Sequence, residues 1–312
     1  MSEPARQTFP VKVLLGRLEQ GSTAPWSSYL PDHLRPKGVT PKVFEASTTS
    51  ASSKAKAEVK PPKKEYSPMG ISVLGRVWEY SQDAAGCREV QHAIEVADED
   101  IQLRIAAELQ DHVWDAACCP HANHVLQKCI LAMHPNHAQF ILDVLMRQRL
   151  ASQAARHKYA CRIVQRLIER CPLEQTAGLL RLLIADVLPI SCHAYGNYVM
   201  QHILQHSSLQ GELCRALEEH LPNLSSDVYG AAVVSCAMTT ARQPSRTSLA
   251  KAIMQEPSVL IRLACSRHGH AAAREVLQVL EGVDRTQALR ILQQNQNRLQ
   301  RSRYGRIVAG IH

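Results

Sequence analysis

The chain has 312 residues, 45% of them hydrophobic, enough to bury a core in one elongated or two compact domains. Its ten cysteines form no CxxC pair, which favours a reducing compartment and argues against a disulfide-stabilised secreted fold. Residues 1–71 carry +5 of the net charge of +8, so the rest is too weakly basic to bind nucleic acid through phosphate contacts alone.

The N-terminal segment, residues 1–70, is predicted to be a disordered basic tail. Between Thr40 and Pro68 it is rich in Ser, Thr, Ala, Lys and Pro and has almost no apolar periodicity. It lacks the pattern of a secretory signal, and no apolar run in the chain is long enough to span a membrane. The basic run at residues 60–64 is interpreted as solvated tail, with a targeting or nucleic-acid patch as the alternative.

Residues 71–312 are predicted to be all-α, because apolar residues recur there at three- and four-residue spacing. One helical motif recurs seven times, each copy beginning at a small residue and separated from the next by 34–39 residues. These small residues are Gly86, Ala122, Ala160, Gly196, Gly230, Gly269 and Gly305. Four of the chain's eight tyrosines directly precede the small residue: Tyr159, Tyr195, Tyr229 and Tyr304. A repeat of this length predicts units of two or three short helices that stack into an α-solenoid.

The fourth copy, HAYGNYVMQHIL, shows what one motif helix offers. Asn197, Tyr198 and Gln201 fall within an arc of about 100°, whereas Val199 and Ile203 lie on the opposite, apolar side. On a single helix, exposure to solvent is enough to explain such a polar face. The recurrence of the same three positions in other copies makes it informative.

We expect these three positions to be exposed. In the first four copies they carry a flat side chain between two short hydrogen-bonding ones. The triplets are Cys87/Arg88/Gln91, Asn123/His124/Gln127, Cys161/Arg162/Gln165 and Asn197/Tyr198/Gln201. A base can stack on Arg, His or Tyr, and the flanking groups can meet its edge. Aligned along one concave surface, the triplets predict binding of single-stranded RNA at one base per repeat.

From about Gly75 to Ile311 the chain resembles the Pumilio homology, or PUF, family of RNA-binding proteins. The segments HKYACRIVQRLIE, HAYGNYVMQHILQH and HANHVLQKCI are very close to its motif, and GRVWEYSQDAAGCR resembles the start of its first repeats. The resemblance implies a right-handed curved α-solenoid, here of about six repeats and a C-terminal cap, and no enzymatic activity, cofactor or metal.

In this family Asn/Tyr/Gln and Asn/His/Gln triplets read uracil, Cys/Arg/Gln reads adenine, and the RNA runs antiparallel to the protein. The resemblance therefore implies a core of 5′-UAUA-3′, which is contained in UGUAUA, an element of the UGUA type. The implied partners are mRNA 3′ untranslated regions and regulatory proteins on the convex face. The expected role is post-transcriptional regulation in the cytoplasm.

The later copies depart from the family pattern. The fifth triplet, Ala231/Ala232/Ser235, lacks a stacking residue and the carboxylate that would read guanine. The sixth, His270/Ala271/Arg274, also has alanine in the middle, although Arg274 can hold a phosphate. Ser235, His270 and Arg274 are therefore weaker candidates for RNA contact, and about four repeats are expected to read bases.

Two other classes of solenoid stay open. A protein-binding array of the armadillo or HEAT type would lack recurring triplets, whereas a divergent nucleolar Pumilio-like protein would bind ribosomal RNA with little sequence readout. An enzyme is disfavoured because the chain has no GxxxxGK[ST], strand-associated GxGxxG or HExxH motif. The Cys118-Cys119-Pro-His121-Ala-Asn-His124 segment lacks the usual ligand spacing of zinc sites.

Overall fold

The computed structural model describes residues 70–147 and 150–310, and every regular element in these ranges is helical. The α-helices are α1 (Val77–Ser81), α2 (Gly86–Val96), α3 (Glu99–Leu109), α4 (Val113–Cys118), α5 (Ala122–Ala132), α6 (Gln139–Leu145), α7 (Leu150–Arg156), α8 (Ala160–Arg170), α9 (Leu173–Ala185), α10 (Val187–Ser191), α11 (Gly196–His206), α12 (Gln210–Glu218), α13 (Leu221–Leu224), α14 (Val228–Thr240), α15 (Ser245–Gln255), α16 (Pro257–Cys265), α17 (His270–Val279), α18 (Gly282–Gln294), α19 (Gln296–Arg301) and α20 (Arg303–Ala309). Short 3₁₀ turns lie at Gly70–Val73, Gln110–His112 and Pro135–Ala138. Apart from Gly70, the predicted disordered tail lies outside the described residues.

These helices repeat a three-helix unit. A short first helix leads into a motif helix, and an outer helix follows; within the described residues the last unit stops after its motif helix. The motif helices are α2, α5, α8, α11, α14, α17 and α20, and each packs against the next along the chain. The outer helices α6, α9, α12, α15 and α18 likewise pack on one another in sequence. The predicted helical-repeat solenoid is therefore confirmed, with three helices in each complete repeat.

Each motif helix starts at a turn held by a side chain three positions before the small residue. Asp83 Oδ2 accepts a hydrogen bond from Gly86 N at 2.9 Å, and Asp227 Oδ1 accepts one from Gly230 N at 2.8 Å. Such bonds satisfy backbone donors that the helix cannot pair internally. The same backbone bond is accepted in other repeats by Cys119, His157, Ser266 and Ser302, whereas His193 accepts from Tyr195 N.

The small residue lets the motif helix approach the first helix of its own repeat. A Cβ atom placed on Gly196 would lie 2.4 Å from the carbonyl oxygen of Ile190, too close for an unadjusted backbone. Ala122 and Ala160, which occupy the same position, are fully buried. The recurring small residue is thus a packing requirement at the contact between two helices.

The core is made by buried apolar side chains, which in most helices lie along one side. In α8 the buried side chains include Ile163, Val164, Leu167 and Ile168, which recur at the spacing of a helix face. Burying each fully stabilises the fold by about 1.5–3 kcal/mol. Among the described helices, none combines the length and the apolar character that crossing a lipid bilayer requires.

Polar contacts also join one repeat to the next. Between motif helices, Lys128 Nζ lies 3.1 Å from Glu95 Oε2, and His202 Nε2 lies 2.5 Å from Glu169 Oε1. Burial tends to raise the pKa of Glu169, but hydrogen bonds from His202 and Arg166 outweigh it and hold that pKa below its usual value. The carboxylate is therefore ionised near neutral pH and ties the third repeat to the fourth.

Candidate nucleic-acid interface

The predicted triplets lie on the first two turns of α2, α5, α8 and α11. Because these motif helices pack side by side in chain order, equivalent triplet positions form parallel rows across them. We call this surface, formed by the triplet positions of all the motif helices, the motif face. The structure thus brings the twelve candidate residues of the first four copies onto one continuous face.

The middle residue of each of these triplets projects from the motif face. Arg88, His124, Arg162 and Tyr198 are all exposed, and Tyr198 is 52% exposed. A guanidinium, an imidazole and a phenol all present a flat face on which a nucleobase can stack. In consecutive repeats these side chains form a row of exposed, flat groups.

The expectation that all three triplet positions are exposed is wrong for the first position. Cys87, Asn123, Cys161 and Asn197 are only 2–4% exposed. The reason is that each is the second residue of its helix and faces the preceding turn. Asn123 Nδ2 donates to Cys119 O at 2.7 Å, and Asn197 Nδ2 donates to His193 O at 2.9 Å.

The same expectation is wrong for the third position, where every glutamine is partly or wholly buried. Gln91, Gln127 and Gln201 are half-buried, and Gln165 is buried. The reason in the first repeat is that the Gln91 side chain folds back along α2, where its Nε2 donates to the carbonyl oxygen of Cys87 at 3.0 Å. Gln91 is therefore turned toward its own helix and is not the fully exposed side chain that was expected.

In both uracil-type triplets the third position is oriented by the first. Gln127 Nε2 donates to Asn123 Oδ1 at 2.9 Å, and Gln201 Nε2 donates to Asn197 Oδ1 at 3.0 Å. One amide of each pair therefore fixes the other. The second hydrogen atom of each glutamine Nε2 and its Oε1 remain chemically suited to a base edge.

The adenine-type triplet of the third repeat uses a different arrangement. Here Arg162 Nη1 donates to Gln165 Oε1 at 3.0 Å. Gln165 is 4% exposed, and its Nε2 has no hydrogen-bond partner in the protein. An unpaired buried donor is costly, so a ligand acceptor at this point would remove a penalty of about 1–3 kcal/mol.

The cysteines of the adenine-type triplets present neutral thiols. Burial raises the pKa of Cys87 and of Cys161, and the nearby arginines only partly offset it. Cys87 Sγ lies 3.5 Å from Ala84 O, and Cys161 Sγ lies 3.5 Å from Lys158 O. The first and third positions of these triplets thus carry uncharged groups.

The fifth and sixth triplets differ in structure as well as in composition. Ser235 is 9% exposed, and its hydroxyl donates to His268 O and accepts from Ala272 N at 3.3 Å, so it joins two repeats. His270 is half-buried, with its ring 5.0 Å from that of Tyr304. Arg274 is exposed. RNA contact by Ser235, His270 and Arg274 therefore stays a prediction.

Three exposed arginines close to these triplets were not among the predicted residues. Arg267 and Arg303 each stand two positions before the small residue of their repeat, and Arg306 directly follows Gly305. Sequence reasoning centred on the triplets missed them because none is a stacking residue at a middle position. The sequence signal that indicates them is the excess of arginine over acidic residues in the last repeats.

A cluster of three potential metal ligands lies at the ends of α8 and α11. Within the described residues, donor atoms of Glu169, His202 and His206 lie within 4.8 Å of one another, whereas the segment from Cys118 to His124 forms no such group. Both Arg166 and His202 already bond the Glu169 carboxylate. The cluster is therefore explained as a hydrogen-bonded contact between repeats.

Comparison with protein families matches the Pumilio-family RNA binding repeat to four successive segments, residues 76–110, 112–146, 153–184 and 186–210. These are the four repeats that carry the complete triplets. The match covers less than half of the 312 residues, and over these segments the chain is similar to Pumilio-family repeats. The four segments contain the first four motif helices, α2, α5, α8 and α11. Pumilio-family proteins bind RNA and have no enzymatic activity.

Curated Pumilio-family relatives match about half of the chain. Suppressor protein MPT5 of Saccharomyces cerevisiae is 25% identical over 159 residues, 49% of this chain and 18% of the relative. Fem-3 mRNA-binding factor 2 of Caenorhabditis elegans is 24% identical over 177 residues, 50% of this chain and 28% of the relative. The chain thus spans less than a third of the length of these relatives.

Solved Pumilio-family structures share the fold over most of the described residues. The structure of PUF-8 in complex with PBE-RNA superposes with a TM-score of 0.69 at 22% identity, covering 77% of this chain and 71% of that chain. The Puf4 RNA-binding domain bound to the HO endonuclease RNA 3′ UTR recognition sequence gives a TM-score of 0.69 at 20% identity, covering 78% of each chain. The solenoid therefore extends beyond the four matched segments.

Proposed function

We propose that the chain binds single-stranded RNA selectively, with the first four repeats reading the core 5′-UAUA-3′. The observation that supports the proposal is the geometry of the motif face. Four exposed flat side chains stand in a row, each flanked by neutral hydrogen-bonding groups. Stacking contributes about 1–3 kcal/mol per base, and edge contacts choose between bases.

The orientation of the RNA follows from the antiparallel arrangement of the family. Asn197/Tyr198/Gln201 in the fourth repeat takes the 5′ uracil, and Cys87/Arg88/Gln91 in the first repeat takes the 3′ adenine. In UGUAUA the two nucleotides before this core face the fifth and sixth repeats, whose triplets lack stacking residues. We infer that selectivity ends at the core.

The biological role that fits this binding is post-transcriptional regulation of mRNAs through elements in their 3′ untranslated regions, in the cytoplasm. The matched structures of Puf3 and Puf4 hold those proteins bound to 3′ UTR recognition sequences. A nucleolar protein that binds ribosomal RNA is the second candidate. The alanines at the middle of the fifth and sixth triplets favour it.

The experiment is fluorescence anisotropy of the full chain with labelled UGUAUA RNA and a scrambled RNA of equal composition, at a stated near-physiological salt concentration. We expect clear preference for the UGUAUA strand, lost when any base of UAUA is changed. Equal and salt-sensitive binding to both strands would support the second candidate. Binding to neither would overturn both and point to a protein-binding solenoid.

A further inference from the structure

The charge of the repeats divides sharply near Pro257. Residues 257–312 contain nine arginines and three acidic residues, a balance of +6. Residues 72–256 contain sixteen basic and nineteen acidic residues, a balance of −3. The mildly basic average of the repeat region therefore hides a strongly basic C-terminal part, in the repeats that have no stacking residue at the middle of their triplets.

Four exposed arginines lie on α17, on α20 and in the turn before α17. Arg274 and Arg306 hold triplet positions of the sixth and seventh motif helices, and Arg267 and Arg303 each stand two positions before the small residue of their repeat. Since α17 packs against α20, Arg274 and Arg306 lie on neighbouring parts of the motif face, with Arg267 and Arg303 beside it at the start of the two motif segments. We call them the arginine group.

Acidic residues of the same segment are placed where they do not neutralise the arginine group. Glu275 forms an ion pair with Arg246 of α15, and Asp284 lies 3.5 Å from Lys251 of α15. Both acids thus join outer helices to their neighbours. The third, Glu281, precedes the outer helix α18.

Protein contacts of the arginine group leave most of its donors free. Arg306 Nη1 donates to Gln300 O at 3.0 Å, and the Arg303 guanidinium lies 5.9 Å from the centre of the Tyr304 ring. Within the described residues neither Arg267 nor Arg274 has a carboxylate within ion-pairing distance. A guanidinium has five N–H donors in a fork that matches the oxygens of a phosphate.

We propose that the arginine group binds the phosphodiester backbone of the RNA on the 5′ side of the read core, without reading bases. This inference rests on the proposed function, because the core fixes which part of the strand reaches α17 and α20. In this arrangement the C-terminal repeats bind the phosphates of the RNA independently of sequence and do not read its bases. The ligand class is a single-stranded polyphosphate, and the bases attached to it do not matter.

The test compares labelled RNAs that differ only beside the UAUA core, using the full chain. One RNA carries four abasic nucleotides with ordinary phosphates on the 5′ side, a second carries them on the 3′ side, and a third has uncharged methylphosphonate linkages on the 5′ side. We expect tighter binding only with the charged 5′ extension. If each arginine meets one phosphate, that gain falls about 50-fold between 50 and 200 mM salt.

The matched variants are R267Q/R274Q/R303Q/R306Q and, as control, R285Q/R290Q/R298Q/R301Q. Each removes four charges from the same segment, but the control positions are exposed on α18 and α19. We expect the first variant to lose the gain from the 5′ extension and the control to retain it. Equal loss in both variants, a gain from the methylphosphonate strand, or a gain from the 3′ extension would overturn the inference.

The outcomes separate this inference from the proposed function. If the wild-type chain prefers UAUA over a scrambled core but gains nothing from the charged extension, the proposed function stands and the inference fails. If the core and its scramble bind equally, the proposed function fails. The inference then fails as well, because without a read core nothing fixes which side of the strand reaches α17 and α20.

Discussion

Gln201 donates from Nε2 to Oδ1 of Asn197 at 3.0 Å, and the equivalent pair, Gln127 and Asn123, has a separation of 2.9 Å. The asparagine of each pair is in turn fixed by the turn that begins its helix. A chain of hydrogen bonds thus runs from the backbone to the glutamine amide at the third triplet position. If a base binds as proposed, the glutamine is already oriented for it, which would lower the entropic cost of binding.

Replacing Tyr198 by alanine tests the stacking row. We expect the affinity for UGUAUA RNA to fall by about 1–3 kcal/mol, because the ring is a platform for one base. The free energy of unfolding should change little, since Tyr198 is 52% exposed. Anisotropy titration and urea unfolding of the same preparations measure the two effects.

The matched control is Tyr198→Phe, which keeps the ring and removes the hydroxyl. Its affinity should stay close to that of the wild type. An unchanged affinity in Tyr198→Ala would contradict the assignment of the motif face as the RNA-binding surface. Equal losses of RNA affinity in both variants would indicate that the hydroxyl, rather than the ring, makes the contact.

Exchange of the third triplet tests whether single repeats select bases. In the double variant Cys161→Ser with Gln165→Glu, the new carboxylate can accept hydrogen bonds from guanine, as the family code implies. We expect the preferred base facing this repeat to change from adenine to guanine in a selection from randomised RNA. The single variant Gln165→Ala is the control, with weaker binding and no new preference.

Ser235 distinguishes a reading residue from a structural one. Replacement by alanine leaves the His268 carbonyl and the Ala272 N–H without the hydroxyl that bridges them. We expect the free energy of unfolding to fall by about 1–2 kcal/mol, while the affinity of the folded protein for RNA is unchanged. Lower RNA affinity with unaltered stability would instead identify the hydroxyl as a base contact.

The repeats could be predicted from the sequence because their signals are local. A small residue, a stacking residue and a glutamine at fixed spacing identify a motif helix such as α11 without any knowledge of its neighbours. The tyrosines before the small residues and the seven-fold recurrence then require stacked units. The helical solenoid and the four complete triplets follow from this pattern.

What could not be predicted depends on contacts that a helical projection does not contain. Ser235 is bonded to residues 33 and 37 positions later, and no pattern within the fifth motif indicates that partner. Burial of Asn197 follows from its bond to the preceding turn, and that of Gln91 from its bond to the backbone of its own helix. The cap supplied by His157 was also missed, because histidine is not among the usual capping residues.

The last prediction concerns the contact between the third and fourth repeats. Arg166, His202 and His206 all lie close to the Glu169 carboxylate, which is 21% exposed. Hydrogen bonds hold its pKa below the usual value although burial opposes them. A carboxyl group whose pKa is lower in the folded state stabilises the fold above its unfolded pKa of about 4.3, and this contribution is lost as the pH falls through the folded value.

We therefore expect Glu169→Gln to reduce the free energy of unfolding by about 1 kcal/mol at pH 7, and the difference from wild type to shrink as the pH drops below about 4. Urea unfolding across that pH range measures it. Glu95→Gln is the control, because the Glu95 carboxylate in the equivalent pair with Lys128 is 62% exposed and should contribute no more than about 0.5 kcal/mol. A deficit in Glu169→Gln that stays constant down to pH 3 would show that shape and packing, rather than the charge of Glu169, join these two repeats.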